Sequence, residues 1–405
     1  MRILFITDNF PPEVNAPASR TFEHCREWVR LGHEVIVVTC FPNFPMGKVY
    51  DGYTNSLYHK EMIADITVIR VWSYISANQG FLKRILDYIS FMISATIISL
   101  KLGNFDKIIG TSPQFFSAVA AYLIGAIKFT PFIFELRDIW PESIRAVGVM
   151  KDSKLIKWFE LIELYLYKRS VHIISVTHSF KENLVTRHIP AAKISVVRNG
   201  VDLSRFYPRP KDLALTKQLK LDKCFVAGYI GTHGMAHALE TVLDAGEILQ
   251  GKQDCHIKII LLGSGAQKQE LIDYSVSRNL KNIIFIDTVD KSQVARYWSI
   301  LDVCIVHLRD TPLFKTVIPS KIFESMGMGI PLIHCVLGES ARIIENESIG
   351  WVIHPEDPQT LANAMIEASS NNDLLLRMAN NCRAAAKKYE RRSMAMKMIN
   401  DIKSI

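Results

Sequence analysis

The sequence predicts an α/β protein of two successive domains, each a parallel sheet with helices on both faces. Three observations carry this. The chain has 405 residues, more than one average domain holds. Apolar runs of strand length alternate with amphipathic stretches of helix length, as helical crossovers between parallel strands require. The alternation then restarts after "RFYPRPKD" (205–212), a proline-containing linker. Domains are expected at 1–208 and 209–380, with a helical tail, 381–405, packing back across the first.

In the first half, "RILFIT" (2–7) reads as a buried strand, 19–31 as an amphipathic helix ended by Gly32, and "HEVIVVT" (33–39) as the next strand. Strands follow at 66–71, 107–110, 132–136, 172–176 and 194–197, and helices at 81–102, 113–127, 153–169 and 178–187. In the second half, strands are expected at 224–230, 256–263, 282–287, 302–306, from Pro331 and at 350–354. Helices fit 236–250, 267–278, 291–299 and the stretch "PSKIFESMGMGIP" (319–331). Both halves are thus Rossmann-like, and ligands on such sheets bind beyond the carboxyl ends of the strands, here in an expected cleft between the domains.

Composition is globular, with 49% hydrophobic and 22% charged residues and a net charge of +8. Residues 1–200 hold 23 Lys/Arg against 17 Asp/Glu, and residues 201–405 hold 25 against 23, so the basic surplus lies in the first half. Zinc-finger spacings and aromatic-basic RNA-binding runs are missing, which argues against nucleic acid as a partner. The seven cysteines form no CxxC and read as reduced core residues of a cytoplasmic protein. "MRILFITDNFPPE" reads as a strand, not a signal peptide. The uncharged run Ile89–Leu100 rises only about 18 Å as a helix, short of the ~30 Å a membrane span needs. "KLIKWFELIELYLYKRS" (154–170) mixes Trp158, Tyr165 and Tyr167 with Lys154, Lys157, Lys168 and Arg169, as residues at a membrane surface do.

Three constellations carry chemistry. In "PSKIFESMGMGIP", Ser320 is placed to cap a helix, yet Lys321 sits in its first turn, where the helix dipole disfavours a cation. Arg309, Lys315 and Lys321 fall within thirteen residues, so a diphosphate there would meet three cations and free helix N–H groups. Glu324, about one turn on, can accept hydrogen bonds from ribose hydroxyls. The second is "GYIGTHGMAHALE" (228–240), where Gly231 and Thr232 leave a strand and His237 precedes a helix. A glycine pair, Gly263 and Gly265 in "LLGSGAQKQEL", follows another strand in the same way. The third is "FELRDIWPES" (134–143), which puts Arg137, Asp138 and Trp140 at a strand's carboxyl end, as a binding loop would.

Together with "RNGVDLSRF" (198–206), these motifs resemble the retaining glycosyltransferase family 4, which has the GT-B fold: two Rossmann-like domains facing across a cleft. "DIWPES" and "PSKIFE" are similar to a bacterial surface-polysaccharide branch that includes N-acetyl-L-fucosaminyl and fucosyl transferases. The resemblance implies sugar transfer from a nucleotide sugar, UDP-linked as the first expectation, to a lipid diphosphate-linked saccharide of O-antigen or capsule assembly. It implies a protein peripheral on the inner face of the cytoplasmic membrane, with no cofactor and no metal. On that basis Gly231, Thr232, His237, Gly263, Gly265, Val289, Arg309, Lys315, Thr316, Ser320 and Glu324 would bind the donor. Asn15, Arg20, Arg137 and Trp140 would bind the acceptor, and Lys321 and Asp138 would act in catalysis.

The chain departs from the family pattern at three places. Thr316 stands where a glutamate is usual eight positions before Glu324. Residues 224–251 contain no Lys or Arg, leaving His233 and His237 as possible cations. Asn15-Ala16 replaces the usual Gly-Gly of the first loop. Lys321 is therefore expected to stand in for the missing basic pair. No DxD motif suggests a metal. Two other classes remain: an epimerase on the same fold, which acts on a nucleotide sugar without acceptor, and a non-catalytic binding protein.

Overall fold

The computed structural model describes residues 1–44, 46–75, 81–139, 154–252 and 256–405. It forms two compact units, Met1–Arg198 with Arg391–Ile405, and Asn199–Glu390. Each is α/β, as the alternation predicts.

In the first unit, β1 (Arg2–Ile6), β2 (Glu34–Cys40), β3 (Tyr58–Ile63), β4 (Ile66–Val71), β5 (Lys107–Thr111), β6 (Phe132–Leu136), β7 (His172–Ser175) and β8 (Ile194–Val196) form one sheet in the order β3-β4-β2-β1-β5-β6-β7-β8. All pairs are parallel except β3–β4. The runs "RILFI" and "EVIVVTC" are almost wholly buried because helices cover both faces of the sheet's centre. Strand order reverses around β1, so its carboxyl end is a topological switch point, where the chain leaves room for a ligand.

Helix α1 (Ala16–Arg30) starts there. Asn15 caps it by accepting the Ala18 N–H at 2.9 Å, and Pro17 sits in its first turn, where a missing N–H costs nothing. Around this sheet run α2 (Phe81–Lys101), α3 (Phe115–Lys128), α4 (Lys154–Arg169) and α5 (His178–Thr186).

The second unit opens with a short α6 (Leu213–Gln218) and has a six-stranded, all-parallel sheet: β9 (Phe225–Ile230), β10 (Ile257–Leu262), β11 (Ile283–Ile286), β12 (Val303–His307), β13 (Leu332–Cys335) and β14 (Gly350–Val352), in the order β11-β10-β9-β12-β13-β14. Its switch point is the carboxyl end of β9. The helices are α7 (Glu240–Gln250), α8 (Lys268–Ser277), α9 (Val294–Ser299), α10 (Lys321–Met328), α11 (Glu339–Glu347), α12 (Pro358–Ser370) and α13 (Asn372–Lys388). Gly329, in the left-handed region at φ 72°, ends α10.

Helices α6, α11, α12 and most of α13 are not assigned by the sequence reading, and two further elements differ from it. Tyr58–Ile63 is a strand that the polar run "YHKEMI" does not announce; it is a largely exposed antiparallel edge. The tail contains two helices rather than one. Helix α13 packs on α10, and after a break at Tyr389–Glu390, α14 (Arg391–Lys403) packs on α1. There Ala395, Met398, Ile399 and Ile402 join Ile3, Phe5 and Trp28 in one buried cluster. The Trp28 indole N–H donates to the Ala395 carbonyl at 2.9 Å. No helix among the described residues is long and apolar enough to cross a membrane.

Candidate functional site

At the switch point of the second sheet, two glycine loops are nested. Gly231, just past β9, has φ +150°, and its N–H donates to the Leu262 carbonyl at 2.9 Å. Gly263, just past β10, has φ +145°, and a Cβ on it would run into the Gly231 carbonyl. A Cβ on Gly265 would run into the backbone of His233. Both positions therefore require glycine for the loops to meet, which adds a packing reason to the one expected from ligand approach. The loops are tied by the His233 N–H to Ser264 O at 2.9 Å and the Gln267 N–H to His233 O at 3.0 Å.

Lys321 is the first residue of α10, and its amine is directed at this point. Nζ lies 3.3 Å from the centre of the Tyr229 ring and 3.0 Å from where a Gly231 Cβ would be. It is buried and has no hydrogen-bond acceptor among the described residues. Burial draws its pKa down to about 7, against the opposing pull of Cys304 and Glu324. Glu324, half-buried in the first turn of α10, is thus close enough to act on the amine. Ser320 precedes the helix in helical geometry and makes no side-chain cap, so it does not close off the helix end. Thr316 donates its hydroxyl to Leu313 O at 2.6 Å.

Histidines complete the surroundings. Both ring nitrogens of His233 and Nδ1 of His237 are buried without partners among the described residues. Burial, reinforced by nearby lysines, lowers the pKa of His233 to about 4 and that of His237 to about 3. His307, on β12, is locked neutral. Its Nε2 accepts the Glu356 N–H at 3.1 Å, so the proton is on Nδ1, which donates to His237 O at 2.8 Å.

The other two expected cations are engaged. Arg309 donates to Met235 O at 2.6 Å and to Glu240 at 2.8 Å, with Glu356 at 3.7 Å, and so braces the loop carrying His237. Lys315 pairs with Asp310 at 3.0 Å. The structure thus brings Gly231, Thr232, His237, Gly263, Gly265, Arg309 and Lys321 into one neighbourhood. Val289 packs on the edge of the hydrophobic core.

In the first unit, the expected acceptor residues separate into two kinds. Arg20 is buried inside the fold, pairing with Glu135 at 3.0 Å and donating to Val197 O and Arg198 O at 3.3 and 3.1 Å. Burial alone would raise the Glu135 pKa, but Arg20 and Arg137 outweigh it and hold the carboxyl below its ordinary value. Arg137, just past β6, is half-buried; among the described residues its Nε has no partner, and its Nη1 reaches Pro17 O only at 3.4 Å. Burial lowers its pKa to about 10. Arg137 and Asp138 are set by Ser112, whose Oγ accepts both their N–H groups, at 2.8 and 3.1 Å. Asn15 is engaged as the α1 cap and donates to Asn9. Trp140 lies outside the described residues.

Sequence reasoning missed Tyr229, taken for a strand residue, and the carboxylates at the first sheet's switch point. Burial raises Asp8 to about 7, with Asp87 adding to the effect. Glu13 is also raised to about 7 by burial, although it accepts the N–H groups of Asn43 and Phe44, each at 2.9 Å. Two acids in "TDNFPPE", directly after a buried strand, were the available signal.

Comparison with known proteins places these features in a family. The profile described as "Glycosyltransferase Family 4" matches residues 18–205, and that described as "Glycosyl transferases group 1" matches residues 224–371. WcaI of Escherichia coli (strain K12), whose name assigns it to colanic acid biosynthesis as a glycosyl transferase, is 24% identical over 338 residues, covering 81% of this chain and 82% of that protein. An Escherichia coli UDP-Gal:alpha-D-GlcNAc-diphosphoundecaprenol alpha-1,3-galactosyltransferase is 24% identical over 244 residues, 58% of this chain and 59% of its own. Among solved structures, HepE of Anabaena in complex with UDP superposes with a TM-score of 0.74 at 16% identity, covering 100% of both chains. The comparisons do not favour an epimerase.

Proposed function

This chain belongs to the family 4 glycosyltransferases of the GT-B fold, at work in polysaccharide biosynthesis, and from that premise we propose that it transfers a sugar, with retention, from a UDP-sugar to a lipid diphosphate-linked saccharide. N-acetyl-L-fucosamine or fucose is the proposed sugar, and O-antigen or capsule the proposed product. The observation that carries the donor half is the Lys321 amine, buried beside Gly231 with no acceptor of its own among the described residues. An unsatisfied buried donor group is costly, and a diphosphate oxygen would satisfy it. The UDP-bound relative of the same fold and the galactosyltransferase that names a diphosphoundecaprenol acceptor support the choice of both substrates.

As the bond to the diphosphate loosens, negative charge grows on the leaving group, and Lys321 with the N–H groups opening α10 is placed to stabilise it. No metal enters this scheme. The acceptor hydroxyl attacks the face the leaving group departs from and passes its proton to the leaving phosphate, so no strong base is required. Asp138 would orient that hydroxyl, with Arg137 close by for an anionic part of the acceptor. Thermal shift with UDP and GDP tests the first step: a nucleotide at 100 times its Kd should add about 2.7 kcal/mol. The anomeric configuration of the product, read by NMR, tests retention.

Glu324 is proposed to accept the donor's ribose hydroxyls. UDP should then bind more tightly than 2′-deoxy-UDP by about 1–3 kcal/mol, because the lost hydroxyl leaves the carboxylate poorly satisfied. Glu324→Ala should erase that preference. Equal calorimetric affinities in the unaltered protein would remove the role.

A lipid-borne acceptor also calls for a cytoplasmic protein that visits the membrane surface. Helix α2 exposes Leu86, Ile93 and Ile97, and α4 exposes Trp158, Leu161 and Tyr165 alongside Lys157, Lys168 and Arg169. Such faces suit an anionic bilayer, with roughly 1 kcal/mol from each engaged Lys or Arg. The full chain should co-sediment with anionic vesicles at low salt and be released by high salt; a chain left in the supernatant at low salt would refute the membrane role.

A further inference from the structure

We propose that Lys321 takes up a proton from solvent when a nucleoside diphosphate enters beside Gly231, so that much of the site's positive charge is made on binding. The proposal rests on this edge being a nucleoside diphosphate site, and goes beyond it in stating how the charge arises.

An ammonium offers three N–H donors and needs acceptors for them. Among the described residues, the surroundings of Lys321 supply no oxygen or nitrogen acceptor. From β9 comes the face of Tyr229, which attracts a cation but is no match for the lost hydration, while its hydroxyl donates to Thr232 O at 2.8 Å. From the following loop come His233 and His237, kept uncharged by burial and by Lys321 itself. From β12 come His307, locked neutral by the Glu356 N–H, and the Cys304 thiol, which burial pushes up to about 12. From α10 comes Glu324, which favours the cation electrostatically but does not offset burial. The neighbouring cations are held by carboxylates: Lys268 by Asp287, Arg309 by Glu240 and Lys315 by Asp310.

With its pKa near 7, the amine of the empty protein is a mixture of both forms at neutral pH. A diphosphate against it favours the charged form. The step is the amine plus one proton, from water or buffer, giving the ammonium; no bond of the ligand changes. Since the bound pKa then lies above the free one, affinity is complete below about pH 7. It falls by about tenfold per pH unit above that until the bound pKa is reached.

Calorimetry on the full chain with UDP, and GDP alongside, tests this at about pH 8 in phosphate and in Tris, whose ionisation heats differ. We expect the binding heat to differ between buffers by an amount that corresponds to nearly one proton taken up. Kd should rise about tenfold from about pH 7.5 to about pH 8.5. Lys321→Arg, whose guanidinium stays charged, should bind with a buffer-independent heat and a flat pH profile. Buffer-independent heat in the unaltered protein, or uptake unchanged in Lys321→Arg, would overturn the proposal. Failure of both nucleotides to bind at any pH would overturn the nucleotide site itself, and this proposal with it.

Discussion

Turnover by the Lys321→Ala protein is expected to fall about a hundredfold to a thousandfold, the ~2–4 kcal/mol typical of losing one preorganised group that stabilises developing charge. The size follows from the surroundings. Arg309 and Lys315, the other cations expected to serve the diphosphate, are already held by carboxylates, so neither is ready to replace the amine. The loss should fall more on kcat than on UDP affinity, because charge on the leaving diphosphate is greater in the transition state than in the ground state. Alanine fits the vacated space, and the α10 start loses a cation the helix dipole disfavours, so the fold should survive. Steady-state kinetics with a UDP-sugar donor, beside a melting curve, decide it. An unchanged kcat in a folded variant would dismiss Lys321 from the chemistry.

Glu135→Ala should lower the stability of the first unit by about 3–5 kcal/mol, the range seen when one partner of a buried ion pair is removed. The pair's two side chains are each only 2% exposed, and alanine would leave the Arg20 guanidinium without its carboxylate partner. Replacing both, as Arg20→Met with Glu135→Leu, should cost less than the single change, because no uncompensated charge stays behind. Urea unfolding of the three proteins measures both effects. The carboxyl's folded pKa is depressed, so its contribution is present at neutral pH and fades as pH falls through that value. A single variant as stable as the parent would show that the pair is not a strut.

The strands were legible wherever an apolar run is buried on both faces, as in "RILFI", "EVIVVTC" and "FVAGYI". The edge strand Tyr58–Ile63 was not, because its pattern reflects exposure and its partner is antiparallel. The break at Tyr389 was hidden by helical composition on both sides. At the site, the positions of Lys321 and Gly231 could be read, since each stands at the end of an element with a local signature. Their environment could not. The ring beneath Lys321 comes from Tyr229, the carboxylate holding Arg309 comes from Glu240, and the one neutralising Arg20 comes from Glu135; all are distant in sequence. Spacing shows which charges a chain carries, and only the fold shows which have been neutralised.

The path of the chain has a consequence for synthesis. The first unit is built from two stretches of chain, Met1–Arg198 and Arg391–Ile405, and its cluster around Trp28 is completed by Ala395, Met398, Ile399 and Ile402. Domains generally fold in the order in which they leave the ribosome. Here Met1–Arg198 has to wait for Arg391–Ile405 to be made, and the whole of Asn199–Glu390 is available to fold before the first sheet receives α14. Until then, α1 has the sheet on one side but lacks the cover that α14 gives around Trp28, which leaves part of that cluster open to water and to chaperones.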